Sequence, residues 1–426
     1  MNDITTPDFT NLNDLTDANQ KGQVKSDAKK KILIIEDLAE MRFMLKSLMS
    51  SLGFNDIDLE ATGQAALKAV MQKHYDIVLS DYNLGGTIDG QQILEVTRKT
   101  YALDHSTIFI MITADTAYES VVSVLEYQPD SYLVKPFPPE AFVRRLKRVQ
   151  EQKKVFEAVN RLRMEEDFEG VELEAKKIMK KNPSYKNICS KIIGESLYSR
   201  GLYKEAKVHY LLILQQNKNL AWAYYGIAQC EFKLGAVAAA AKNLEQTITV
   251  SRHYLSAYDL LADAYEKLKQ PENAQAALQK AIDVSPKALE RSTRLGKLSQ
   301  KVKDWETAEL SFARVVRLAR DSSYEKAEIY YDHLKSITDC LAHGIDNGKL
   351  MDRFKRSLIR LRTIGKQNPT AISNSYRLEV QQLLTRKYPE EAKKAWLMWH
   401  RLIVNGKASA ISAAQEKTLK KMLGLL

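Results

Sequence analysis

From Lys31 onward two hydrophobic patterns alternate along the chain. Short apolar runs at residues 32–35, 57–59, 77–79, 108–112 and 132–134 predict strands, and the stretches between them, 41–52, 64–71, 90–99, 117–125 and 140–150, have helical periodicity. Strands that are apolar almost throughout are buried on both faces, which is the property of a parallel sheet with helices on each side. The prediction is a doubly wound α/β domain with a five-stranded parallel sheet over residues 30–150. The polar residues 1–29 lack an apolar segment and read as a disordered tail.

After residue 150 the strand pattern stops and helical periodicity continues to the end. It repeats. Gly201, Gly235 and Lys269 recur every 34 residues at the turn between paired helices, and Ala206, Ala240, Ala274 and Ala308 keep the same interval. Small residues hold the close-approach point of each first helix (Gly194, Ala228, Ala262, Gly296), and bulky ones the packing point of each second helix (Tyr210, Leu244, Leu278, Phe312). Pro286 stands where the third unit must stop, and a looser unit upstream has Phe168 at its turn and Pro183 at its end. Size and spacing recur together, so this part resembles the tetratricopeptide-repeat family. The resemblance implies an all-α solenoid that binds protein, with repeats over 151–320. Beyond Arg320 the period breaks; Tyr376, Ala392 and Trp396 suggest one further degenerate unit within 321–426, closed by a Lys-rich capping helix.

Charge separates the same two parts. Residues 1–150 hold 16 Lys and Arg against 21 Asp and Glu, whereas the remainder holds 48 against 32. The basic part has no dense Lys/Arg run interleaved with aromatics and no helix-turn-helix, so nucleic acid is the lesser alternative to protein as a partner. No apolar stretch approaches the length of a membrane span, so no membrane partner is expected. Cys189, Cys230 and Cys340 are odd in number and far apart, which fits buried thiols in a reducing cytoplasm rather than disulfides or a zinc site. Residues 344–349 look superficially like a phosphate-cradling loop. They have one residue too few between the glycines, no Ser or Thr after Lys349 and no preceding strand, and so predict an interhelix turn.

The chemistry sits at the strand ends. Glu36 and Asp37 follow the first strand and Asp81 the third, and in a parallel sheet these ends are neighbours, at the edge where such folds bind ligands. Three carboxylates together repel one another unless a cation joins them, and an all-oxygen set at an open site suits Mg2+. Thr113 ends the fourth strand and Lys135 follows the fifth, adding a hydroxyl and an ammonium. The set can neutralise a phosphoryl group while Asp81 attacks phosphorus.

With these five groups in order, residues 31–149 resemble the response-regulator receiver family, a flavodoxin-like fold. That resemblance implies that Glu36 and Asp37 handle Mg2+ and that the backbone carbonyl of Asn83 completes its shell. It further implies that Asp81 is the phosphoacceptor, that Thr113 and Lys135 contact the phosphoryl oxygens, that Tyr132 is the switch aromatic, and that Lys135 and Pro136 are joined by a cis peptide. Two departures are visible: Glu36 stands where Asp is commoner, and the usual Met-Pro after the phosphoacceptor is replaced by residues 83–90, a longer glycine-rich loop. The expected partners are a histidine kinase or phosphotransfer protein, a protein bound by the repeats, and a second copy through the receiver. No enzymatic activity is expected beyond self-phosphorylation and self-dephosphorylation. A constitutive scaffold indifferent to phosphate is the rival reading.

Overall fold

The computed structural model describes residues 29–86, 88–100, 102–103, 105–114, 129–322 and 324–425. The expected tail up to residue 28, the expected helix over 117–125 and Thr87 of the glycine-rich loop lie outside the described residues. Internal contacts divide the chain into two compact units, Met1–Ala257 and Tyr258–Leu426.

Strands β1 (Lys31–Ile35), β2 (Asp56–Glu60), β3 (Ile77–Asp81), β4 (Ile108–Thr113) and β5 (Ser131–Val134) form one sheet in the order β2-β1-β3-β4-β5, and every pairing is parallel. Side chains alternate between faces along a strand. Ile32, Ile34, Ile77, Leu79 and Ile110 therefore share one face, where they pack on Leu45 and Leu48 of α1 (Ala39–Ser51) and Phe142 and Leu146 of α4 (Pro139–Val155). Leu33, Ile35, Val78, Phe109 and Met111 share the other, with Ala66 and Val70 of α2 (Gly63–Gln72) and Ile93 and Leu94 of α3 (Gly90–Lys99). Both faces are covered, as continuously apolar strands require.

Helix α4 runs on past residue 150 to Val155, and Phe156 alone separates it from α5 (Glu157–Met164). Helix pairs follow: α5 with α6 (Phe168–Lys181), α7 (Lys186–Ser199) with α8 (Tyr203–Gln216), and α9 (Ala221–Lys233) with α10 (Val237–Val250). The next are α11 (Leu255–Lys267) with α12 (Pro271–Val284), and α13 (Leu289–Lys301) with α14 (Trp305–Ala319). After these come α15 (Ala327–Ala342) with α16 (Leu350–Ile364), α17 (Pro369–Thr385) with α18 (Pro389–Val404), and finally α19 (Ala413–Met422).

One backbone device recurs inside all seven pairs. A residue in the left-handed region ends each first helix: Glu166, Gly201, Gly235, Lys269, Lys303, Gly344 and Lys387, with φ between +56° and +83°. The next amide donates to the carbonyl five residues back, as in Ala236 to Glu231 and Asp304 to Ser299, both 2.9 Å. This is the Schellman termination, which satisfies carbonyls the helix leaves unpaired. Side-chain size sets the packing. The Tyr210 ring is held between two glycines, since a Cβ at Gly194 would lie 2.3 Å from it and one at Gly226 2.4 Å. Gly296 stands in the same way against Phe312, at 2.8 Å.

The C-terminal stretch holds more order than the sequence period indicates. Tyr376, Ala392 and Trp396 pack with Trp399, Leu419 and Leu423, so the anticipated unit is present as α17 and α18, with α19 against it. The interhelix turn expected at 344–349 lies between α15 and α16, a pair that the 34-residue period did not mark. Its connection spans residues 343–349 where α9 and α10 are joined by 234–236, so the spacing slips although the left-handed turn at Gly344 is the same.

Candidate functional site

The carboxyl edge of the sheet collects the charged groups because parallel strands end on one side. Glu36 follows β1 and stays in register through its amide, which donates to the Glu60 carbonyl at 3.1 Å. Asp81 is the last residue of β3. Gly90 opens α3 directly beneath it: a Cβ there would lie 2.2 Å from the Asp81 carbonyl oxygen, so only glycine lets the helix start so close. Thr113 is the fully buried last residue of β4, and its carbonyl accepts from the Lys135 amide at 2.7 Å. The Lys135 side chain reaches across β4, and its Nζ lies 2.8 Å from Glu36 Oε2 and 2.9 Å from Asp81 Oδ2. The peptide between Lys135 and Pro136 is cis.

Carboxylate oxygens of Glu36, Asp37 and Asp81 lie within 4.8 Å of one another, the one cluster of this kind among the described residues. Backbone amides hold two of the three: Asn83 donates to Asp81 Oδ1 at 3.2 Å and Gly85 to Asp37 Oδ2 at 3.3 Å. Glu36 is fully buried. Burial pushes its carboxyl above the ordinary value, Lys135 pulls it back by hydrogen bonding, and the Asp81 charge pushes it up again, for a net rise. For Lys135 burial opposes the charge, but hydrogen bonds to Glu36 and Asp81 outweigh it and its pKa is raised. One ammonium thus faces three carboxylates, and Glu36 Oε1 is buried without a hydrogen-bond partner. A buried acceptor left unmatched costs free energy. An orphaned oxygen in an all-oxygen, acid-rich pocket fits a hard divalent cation.

The structure brings Glu36, Asp37, Asp81 and Lys135 into one pocket, with Thr113 at the same edge and the Asn83 amide on Asp81. Tyr132 lies on β5. It pairs with Met111 across β4 and β5, is half-buried on the α2 and α3 face, and has the Arg145 guanidinium 5.4 Å from its ring centre. Sequence reasoning missed Gly85, Gly90 and Arg42, whose guanidinium donates to the backbone carbonyls of Glu36 and Asp37. Gly90 alone had a visible signal, a glycine placed at the start of a helix directly after a strand-end loop.

Comparison with known proteins decides the family. The model of the response regulator receiver domain matches residues 32–147. Chemotaxis protein CheY-3 of Vibrio cholerae is 31% identical over 122 residues, 29% of this chain and 92% of that protein. The chain belongs to the response-regulator family. Chemotaxis protein CheY of Pseudomonas aeruginosa, 28% identical over 130 residues, matches 30% of this response regulator and 98% of its own length. A tetratricopeptide repeat model matches residues 255–287, so the regulator joins a receiver to tetratricopeptide repeats. A solved tetratricopeptide repeat protein from Parabacteroides merdae covers 65% of this chain and 99% of its own, with 16% identity and a TM-score of 0.34. Among the described residues no helix is long and apolar enough to cross a membrane.

Proposed function

We propose that this response regulator accepts a phosphoryl group on Asp81 from the phosphohistidine of a histidine kinase or phosphotransfer protein, or from a small phosphodonor, and that phosphorylation changes protein binding by the repeat array. The observation that carries the reading is Lys135 Nζ between Glu36 and Asp81 in a pocket of three carboxylates. An Asp81 carboxylate oxygen attacks phosphorus, the P–N bond of the donor breaks, and the imidazole leaves with the bonding pair. Lys135 turns from the carboxylates toward the phosphoryl oxygens and offsets their charge. Glu36, Asp37, Asp81 and the Asn83 carbonyl would hold Mg2+, which supplies further neutralisation of the transferring charge.

The Thr113 hydroxyl then hydrogen-bonds the phosphoryl group, and Tyr132 follows it inward, changing the surface near β5 and α4. A receiver dimer or altered access to the array is the output, and we assign no catalysis beyond phosphorylation and dephosphorylation of Asp81 itself. The setting is the cytoplasm, where phosphohistidine kinases and reduced thiols coincide; the three cysteines are buried and free. The test is phosphate incorporation from acetyl phosphate with Mg2+, together with partner capture by the full chain with and without the donor. Wild type should be labelled and Asp81→Asn should not. Labelling of the Asn variant would refute the phosphoacceptor, and identical capture in both states would favour the constitutive scaffold.

A further inference from the structure

The β1–α1 corner has to present two adjacent carboxylates, yet no side chain caps the N-terminus of α1. Residue 38 at the cap is Leu, and β1 ends at Ile35, although the Glu36 amide still donates to the Glu60 carbonyl at 3.1 Å. Arg42, in the first turn of α1, folds back over this end. Its NH1 donates to the carbonyl of Glu36 and, at 3.2 Å, to that of Asp37, while its own amide donates to the Leu38 carbonyl at 3.0 Å. The guanidinium is thus tied to the main chain of both acidic residues, and neither of these contacts involves a carboxylate oxygen. The side chains of Glu36 and Asp37 stay available to the pocket while their peptides are held.

We propose that Arg42 is a positioning residue for divalent-cation binding, acting through the main chain of Glu36 and Asp37; this rests on the reading of the pocket as a cation site. Groups that orient metal ligands from behind contribute about 10-fold or more to affinity. The sign of the effect separates this role from simple electrostatics. A positive charge close to three carboxylates competes with a cation, so its removal alone would tighten binding. Loss of positioning weakens it.

The experiment titrates the full-length chain with Mn2+, following free ion by electron paramagnetic resonance, and records metal-free thermal unfolding alongside. For Arg42→Ala we expect the Mn2+ Kd to rise about 10-fold, and for Arg42→Lys, which keeps a charged donor, most of the affinity to return. Equal or tighter binding by Arg42→Ala overturns the proposal. So does a lower unfolding midpoint with unchanged affinity of the folded protein, since that is what a purely structural role gives. If Arg42→Ala does not fold, Arg42→Gln takes its place: weaker Mn2+ binding supports the positioning role, and equal or tighter binding overturns it. A wild type that binds no Mn2+ refutes the cation site itself, an outcome separate from the failure of Arg42.

Discussion

Lys135 stands between two carboxylates, one of them fully buried, and that placement makes its loss costly in a particular way. Truncating one partner of a buried ion pair leaves the other charge unmatched, typically for about 3 kcal/mol. Lys135→Met should lower stability by that amount in chemical denaturation with a chelator present, and millimolar Mg2+ should recover part of it. A second residue predicts a pH response. Glu325 is held down to about 2, first by its hydrogen bond from Arg360 at 2.7 Å and then by Tyr330. A carboxyl with a depressed folded-state pKa stabilises the fold above its ordinary value and loses that contribution as pH falls through the folded one. Glu325→Gln should therefore unfold at lower temperature than wild type at pH 7, and the gap should close between about pH 4.5 and 2. Asp81, Asp37, Glu36 and Lys135 were legible because strand ends mark them. Arg42 was not, because its partners are main-chain carbonyls, and a carbonyl leaves no trace in residue identity.

At the scale of elements, the match between small and large residues is what the repeat period recorded. Gly194 and Gly226 lie against opposite sides of Tyr210, so a methyl group on either must displace a ring that is itself buried. Gly226→Ala should cost about 2 kcal/mol, read as a shift in denaturation midpoint, and pairing it with Tyr210→Leu should return most of the loss. Gly194 was visible because it falls on the 34-residue period; Gly226 lies two helices further on, in α9, and off it. The strands were legible for a similar reason: β1, β3 and β4 are covered on both faces and nearly every position is apolar, while the edge strand β2 alternates Ile57 and Leu59 with charged residues. The pair α15 and α16 fell off the repeat period because of its long connection, and its core also includes buried polar groups. His333 lies 2.9 Å from Ser357 Oγ and 3.2 Å from Glu309, which also pairs with Arg353 at 2.7 Å. These groups border an apolar core in which Tyr330, Leu334, Ile337 and Leu341 of α15 pack with Leu350, Phe354, Leu358 and Leu361 of α16.

At the scale of the whole molecule, the proposed coupling of Asp81 to the helices would run through the chain itself. Helix α4 belongs to the sheet through Phe142 and Leu146 and continues to Val155, where Phe156 turns the chain into α5. Phe156 packs edge-to-face on Tyr185 at 5.3 Å among Val159, Val171 and Cys189, and so belongs to the core of the first helix pairs. Near the end of α4, Lys153 Nζ donates to the His105 carbonyl at 2.6 Å and pairs with Asp130 at 2.7 Å, which ties that end back to the receiver. Three Gly-Ser residues inserted after Phe156 should leave labelling of Asp81 intact and abolish any change in array hydrogen exchange produced by beryllofluoride. An unchanged response in the insertion variant would show that the signal takes another route.

The left-handed turns also bear on how such a protein can grow. Lys269 and Lys303 occupy a backbone region that favours glycine and accept its strain, so the geometry is kept where the preferred residue is not. What repeats along the chain is a joint rather than a residue type. Because equivalent joints lie 34 residues apart from Gly201 to Lys303, excision of the segment from Leu202 to Gly235 would splice one turn onto its counterpart without disturbing the peptide geometry on either side. The array is therefore open to change in length by recombination, while the receiver, whose pocket draws on four separate strand ends, is not.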